Sequence, residues 1–298
     1  MTVSGFTFVY HAIERDYPVV ESIKSMLPIC DEFIVNVGLP DDGTIDLIKS
    51  IDDKIKIITT PWYPKRIRLG GWRYDQFANI PLFSCQGDWI FFLQADEIVH
   101  EEDLPKIKEA MSKYADDLEV EGLLLRYYHF YGSYDFHRID RKWPPGGVRI
   151  VRNGINVYSA NDAQSFYIAN RRKMRRLKVA DIGAHVYHYG WARMPEKIKI
   201  KIASVDRYWT SGTKEEEIAK VESENFDFYN IDPRYLAAFD GSHPEVMQDR
   251  ISKHNWVFDP SRCHCKLTLK RLPYELEWLI ERTLKRRIFG PHHCKIVK

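Results

Sequence analysis

Residues 87–98 read Gly87-Asp88-Trp89-Ile90-Phe91-Phe92-Leu93-Gln94-Ala95-Asp96-Glu97-Ile98, and this stretch decides how the rest of the chain is read. Gly87-Asp88 is a turn pair that opens a continuous apolar run, Trp89 to Leu93. Such a run, with no polar alternation, fits a strand buried on both faces, as in a parallel sheet. It stops abruptly at Gln94-Ala95-Asp96-Glu97, which puts two carboxylates just past the carboxyl end of a central strand. In open α/β sheets that edge is where ligands bind. Acidic oxygens delivered there can hold Mg²⁺ or Mn²⁺, with waters and substrate phosphates completing the coordination. The alternative is an exposed acidic loop.

The residues before this stretch alternate between strand and helix signals. Phe6 to Tyr10, Phe33 to Val37 and Ile55 to Ile58 are short apolar strands. Val19 to Met26 has helical spacing and Pro28 ends it. Asp41-Asp42-Gly43-Thr44 breaks the chain before a second amphipathic helix through Ile45, Leu47, Ile48 and Ile51. Leu69 to Cys85 is a third helix, kinked or cut short by Pro81. Strand–helix alternation of this kind predicts a parallel sheet with right-handed crossovers.

At 298 residues the chain can bury a full core, as one large α/β domain or a domain with an appendage. Apolar content of 44% and charged content of 29% are those of a soluble globular protein. A net charge of 44 − 42 = +2 implies no strong field for polyanions, so no nucleic-acid partner is expected. Aromatics reach 13%; they can stack on sugars or bases, or simply fill the core. No apolar run has the length of a membrane span, and the N-terminus lacks a signal-peptide pattern. Five cysteines, an odd number, point to a reducing compartment, so a cytoplasmic location is expected.

Several motifs then fall in order. Asp16-Tyr17-Pro18 leads into the first helix, which closes with Ser25-Met26-Leu27-Pro28. Asp31-Glu32-Phe33-Ile34-Val35-Asn36-Val37-Gly38 is followed by Asp41-Asp42-Gly43-Thr44, and Asn79 precedes Gly87-Asp88-Trp89-Ile90. With Gln94-Ala95-Asp96-Glu97 standing at the place of an Asp-x-Asp metal motif, residues 6 to 105 resemble a family 2 glycosyltransferase of GT-A fold. The resemblance implies a Rossmann-like mixed α/β sheet flanked by helices, over about residues 1–210, with a donor half to about 105 and an acceptor half from about 106. Residues 211–298 are expected to add a C-terminal helical appendage.

The same resemblance implies a nucleotide-diphosphate sugar donor, a glycan, lipid-linked or protein acceptor, and Mn²⁺ or Mg²⁺ as cofactor. Asp96 takes the metal role; Gln94 replaces the family's first acid and Ala95 lies between them. Donor contacts are expected from His11, Asn36, Asp42, Arg73, Gln76 and Asn79, with a turn or helix-cap role as the alternative for Asp42. Asn36 stands near the position where the family tends to read uracil with an Asp, so uridine specificity is open. The stretch Trp62 to Tyr74 mixes cations with aromatics around Gly70-Gly71 and could close over a diphosphate or remain a solvated loop.

Farther along, Glu121 to Phe130 is strand-like, Trp143-Pro144-Pro145-Gly146-Gly147 makes a turn, and Asn153-Gly154 is expected to close a hairpin. His129-Phe130-Tyr131-Gly132-Ser133-Tyr134 resembles a subset of these enzymes from phage and bacterial surface-glycan loci. Sugar transfer has an oxocarbenium-like transition state, and inversion needs a carboxylate to take the acceptor proton. Asp162 lies in the interval where the family places that base; Asp135, Asp140 and Asp181 compete, and a helix N-cap is its other role. His185-Val186-Tyr187-His188-Tyr189-Gly190-Trp191 resembles the segment that supplies an extra His ligand, so His188 joins Asp96 as metal ligand and Mn²⁺ is favoured. Trp191 stacks on sugar or packs in the core, and one of Lys197, Lys199 and Lys201 approaches the diphosphate.

Arg171 to Arg176 is a basic run, either solvated or facing an anion; with Lys285-Arg286-Arg287 it leaves peripheral contact with the inner membrane face open. Cys263-His264-Cys265 and His292-His293-Cys294 could together bind zinc, although the spacing fits no standard finger. A nucleotidyltransferase is the nearest alternative, but His11 to Asp16 offers no Gly-rich loop after the first strand. A non-catalytic glycan- or nucleic-acid-binding module is the other, and it leaves Asp96 and His188 without a task.

Overall fold

The computed structural model describes the chain apart from residues 63–71, 141–142, 171–172, 207–226, 266–271 and 285–292; the side chains of Trp72, Arg73, residues 202–206 and Tyr274 are also outside the described set. The apolar run forms β4 (Trp89–Phe92). Before it come β1 (Val3–Val9), α1 (Val19–Met26), β2 (Glu32–Leu39), α2 (Thr44–Lys49), β3 (Ile55–Pro61) and α3 (Trp72–Leu82). After it come β5 (Glu97–Val99), α4 (Leu104–Lys113), β6 (Gly122–Tyr131), β7 (Phe136–Arg138), β8 (Gly146–Arg152), β9 (Val157–Ala160) and β10 (Ser165–Asn170). The chain continues through β11 (Lys173–Trp191), α5 (Pro195–Asp206), β12 (Leu236–Ala238), α6 (Gln248–Ser252), α7 (Leu272–Leu284) and β13 (Cys294–Ile296).

These strands make one large mixed sheet with the order β3-β2-β1-β4-β8-β6-β11-β10-β9. The pairs β3–β2, β2–β1 and β1–β4 are parallel, whereas β8 runs antiparallel to both β4 and β6. β4 is buried on both sides, as a continuous apolar run demands: Phe91 packs with α1 and α4, Ile90 and Phe92 with α3. Phe92 stacks on Phe6 at 4.7 Å between ring centroids. Each such buried side chain contributes about 1.5–3 kcal/mol of transfer free energy. The Gly87 turn is forced by a close approach, since a Cβ there would lie 2.6 Å from the Ser4 backbone nitrogen.

Two expectations are corrected. Asn153-Gly154 does turn the chain, but the flanking strands do not pair as a hairpin: β8 lies between β4 and β6, and β9 pairs with β10. The C-terminal third is not a helical appendage either. β12 pairs with β7, β13 pairs with β11, Met247 packs with Phe130, Tyr187 and Tyr189, and Arg250 ion-pairs with Asp16 and Glu21. Its helices were legible, but periodicity carries no information about strand partners far away in sequence. The expected division at residue 210 falls in 207–226, outside the described residues. No described helix is long and apolar enough to cross a membrane.

The zinc reading is not carried by the described residues. Cys294 is buried beside Leu177 in one cluster, whereas Cys263 packs with the cluster of Tyr131 and Phe258. His292 lies outside the described residues.

Candidate active site

Parallel strands end where their carbonyls and the following loops face open space, so the carboxyl ends of β1, β3 and β4 line one cleft of about 300 Å³. Its wall includes Tyr10, Trp62, Tyr74, Gln94, Ala95, Asp96, Trp143, Asp162, Gln164, His188, Trp191 and Lys201. Tyr10 and Trp62 stack on one another at 4.7 Å with an interplanar angle of 4°, and His11 stacks on Tyr10 at 3.9 Å.

Asp96 sits in the turn between β4 and β5 and is buried. Its Oδ2 accepts hydrogen bonds from Arg193 and from Lys201, both at 3.0 Å. Burial works to raise the Asp96 pKa, but Lys201, then His188 and Arg193, outweigh it and hold the carboxyl well below the usual carboxylate range. Arg193 also donates to the Arg15 carbonyl and lies over the Tyr17 ring, so it braces the turn against the loop after β1. Lys201 donates to the Gly190 carbonyl as well. Lys201, not Lys197, is the lysine of α5 that reaches the cleft; Lys197 donates instead to the Glu14 carbonyl.

The Oδ1 atom of Asp96 faces His188 Nε2 at 3.8 Å. Burial keeps His188 neutral, pulling its pKa down to about 4 despite Asp96. A cation between them would find one carboxylate oxygen and one neutral imidazole nitrogen. Among the described residues no third His, Cys, Asp or Glu converges on them, so protein would supply two donors and the rest must come from phosphate and water. Glu97 is not among the donors. It forms a buried bidentate pair with Arg149, at 2.6 and 2.8 Å, and accepts from the Tyr127 hydroxyl.

Gly190 leaves the room for this convergence. A Cβ there would lie 2.5 Å from His188 Nε2, 2.8 Å from Lys201 Nζ and 2.9 Å from Asp96 Oδ2. Gly190→Ala should therefore displace all three groups and lower donor affinity by at least about tenfold, about 1.4 kcal/mol. Calorimetric titration of donor would show it, and an unchanged affinity would mean that this corner is not used.

Asp162 lies on the same cleft, in a turn between β9 and β10. Asn161, Asp162 and Ala163 all have left-handed φ, at 59°, 67° and 54°. Consecutive non-glycine residues there are strained, and such strain gathers at functional sites. Asp75 of α3 holds the turn by accepting from the Ala163 nitrogen at 2.8 Å, and Gln94 donates to the Ala163 carbonyl. Burial, with Asp75 nearby, pushes the Asp162 carboxyl up to about 6, and its Oδ1 has no hydrogen-bond partner. The helix-cap alternative fails, because a strand follows. Of its competitors, Asp140 is paired with Arg138, Asp135 with Ser133, and Asp181 with Arg126.

The other expected donor contacts do not meet this cleft. Asn36 is fully buried; its amide donates to the Phe77 carbonyl and accepts from Thr60, so it ties β2 to α3 and β3 and does not line the cleft. Asn79 clamps α3 to β9 through both backbone groups of Ser159. Asp42 caps its own turn, binding Thr44 and the Glu14 nitrogen. His11 is held by Glu14 and the Pro40 carbonyl outside the cleft, although its neighbour Tyr10 lines it. Gln76 is exposed on α3, and the side chain of Arg73 lies outside the described residues, as does 63–71. The structure thus brings together Gln94, Ala95, Asp96, Asp162, His188 and Trp191 with Trp62 and Tyr74 from the aromatic stretch and Lys201 from α5, and adds Tyr10, Trp143 and Gln164. The aromatic members sit at strand ends, and that position was the available signal.

No family model and no curated protein matches this chain. Among solved structures it is similar to S. aureus TarS 1–349, at 12% identity and a TM-score of 0.38, covering 94% of this chain and 79% of that one. The same protein in complex with UDP gives the same figures. Glucosyl-3-phosphoglycerate synthase from Mycobacterium tuberculosis, in complex with Mn²⁺, UDP-glucose and phosphoglyceric acid, is similar over 43% of this chain and 44% of that one, at 18% identity and a TM-score of 0.29.

Proposed function

We propose that this protein is a glycosyltransferase of the GT-A type, moving a sugar from a nucleoside-diphosphate donor to a glycan, lipid-linked or protein acceptor with inversion at the anomeric carbon. The observation that carries the reading is one cleft holding two carboxylates in opposite states. Asp96 is kept ionised by two cations, whereas the buried oxygen of Asp162 has no partner among the described residues and its pKa is raised to about 6. Environments that push two carboxyl groups apart in this way assign an electrostatic role to one and a proton-transfer role to the other. A binding module has no use for a half-buried carboxyl whose buried oxygen has no partner among the described residues, which lowers stability at neutral pH.

The roles follow from position. Lys201, beside Asp96, places a positive charge where a leaving diphosphate gathers negative charge. Asp162 takes the acceptor hydroxyl proton as the sugar–oxygen bond to the diphosphate breaks. Asp96 Oδ1 and His188 Nε2 would hold a divalent cation, which when bound supplies Lewis-acid neutralisation of the departing diphosphate.

Thermal denaturation with a panel of uridine, guanosine, cytidine and thymidine sugar nucleotides, each with and without Mn²⁺, tests the class. A donor at a hundredfold excess over its Kd stabilises the fold by about 2.7 kcal/mol and raises Tm. If no sugar nucleotide shifts Tm in either condition, the reading is wrong.

A further inference from the structure

His129 and His188 lie opposite one another on β6 and β11, in register, and both are buried. Their Nδ1 atoms are 2.9 Å apart. The other nitrogen of His129, Nε2, lies 2.8 Å from the Pro144 carbonyl. A carbonyl oxygen can only accept, so His129 carries its proton on Nε2. A neutral imidazole has a single N–H, which leaves His129 Nδ1 as an acceptor. The bond between the two rings then requires the proton of His188 to be on Nδ1. His188 Nε2 is left as a bare lone pair, and it faces Asp96 Oδ1, an atom that also offers only lone pairs.

Two acceptors 3.8 Å apart with no proton between them leave a gap that suits a group both lone pairs can bind, a cation or a water donating to both. Lys201 Nζ lies next to it, and Gly190 keeps the space clear. Packing holds the ring pair in place. The Tyr127 ring stacks on His129 at 4.5 Å, and Trp143 contacts both imidazoles, at 4.8 and 5.6 Å.

We infer that His129 is a positioning residue that sets the tautomer of His188, so that His188 presents an unprotonated Nε2 to a cation shared with Asp96. The inference rests on the cation site proposed above, but the tautomer can be read without it. Partners of this second kind orient ligating imidazoles and raise their basicity, and losing one typically costs about 10–100-fold in metal affinity.

The test uses the full chain labelled with ¹⁵N-histidine. Long-range ¹H–¹⁵N spectra should show His188 protonated on Nδ1 and His129 on Nε2. A His188 proton on Nε2 in the wild type overturns the inference outright. Calorimetric titration with Mn²⁺ alone should then show a loss of about 10–100-fold for His129→Phe, which keeps the packing and removes the acceptor. His129→Gln, which restores an acceptor oxygen, should recover part of it. Unchanged Mn²⁺ affinity in His129→Phe also overturns the inference. A wild type that binds no Mn²⁺ while His188 carries its proton on Nδ1 would remove the cation site from the proposed function and leave the tautomer assignment supported. If His129→Phe fails to fold, the wild-type spectrum still decides the tautomer.

Discussion

Replacing Asp162 with Asn should lower the transfer rate by about 10²–10⁴-fold and leave donor affinity unchanged. The amide keeps the size of the carboxyl and removes its ability to take a proton. The wild-type rate at saturating donor should rise with pH and level off above about 6, the value to which burial lifts this carboxyl. The variant should lose that rise. Stability moves the other way. A carboxyl whose folded pKa exceeds the ordinary 3.8 favours the fold while protonated, and that contribution is lost as pH rises from 3.8 through about 6. At pH 8 the wild type therefore carries an unfavourable buried charge beside Asp75 that the variant lacks. Asp162→Asn should melt at the same temperature as the wild type or higher at pH 8. A variant that transfers sugar normally, or that melts well below the wild type at pH 8, would show that Asp162 is a structural residue.

Asp96→Asn should be the most damaging substitution in the cleft. Arg193 is 3% exposed and would lose its carboxylate, as would Lys201. Breaking a buried ion pair by removing one partner costs about 3–5 kcal/mol, because the other charge stays buried. Donor binding should disappear with it. Lys201→Met separates the two effects, since Asp96 keeps Arg193. It should weaken donor binding with a smaller loss of stability. Urea denaturation and donor titration on the two variants check this. An Asp96→Asn protein within about 1 kcal/mol of the wild type would mean that the pairing with Arg193 contributes little. The pH dependence has a definite sign: Asp96 is held below the ordinary aspartate value, so its contribution is present above 3.8 and is withdrawn as pH falls below that.

Part of this site was legible because a local rule was enough. The end of an apolar strand marks a ligand edge, which located Gln94, Ala95 and Asp96. The family resemblance pointed to His188, Trp191 and Asp162, and all three line the same cleft. Asn36 and Asn79 do not line the cleft, and Asp42 takes the turn role rather than the donor role, for one physical reason. A polar residue near a strand end can serve a ligand or satisfy buried backbone, and its sequence neighbours do not say which. Phe77 and Thr60, which take up the Asn36 amide, are 41 and 24 residues away. Glu97 shows the same limit: its partner Arg149 is 52 residues on, and nothing at Glu97 announces that its charge is already paired.

The sequence by itself determined the parallel half of the sheet, because strand burial and helix amphipathicity are written in the spacing of neighbouring residues. It also determined that an acid stands at the tip of β4. Only the tertiary structure decided what that acid does. Arg193, Lys201 and His188 reach Asp96 from about a hundred residues away, over a sheet whose β11 lies beside both β6 and β5. Charge state and tautomer depend on such distant partners and on exclusion of water, and neither is a property of a local stretch of chain.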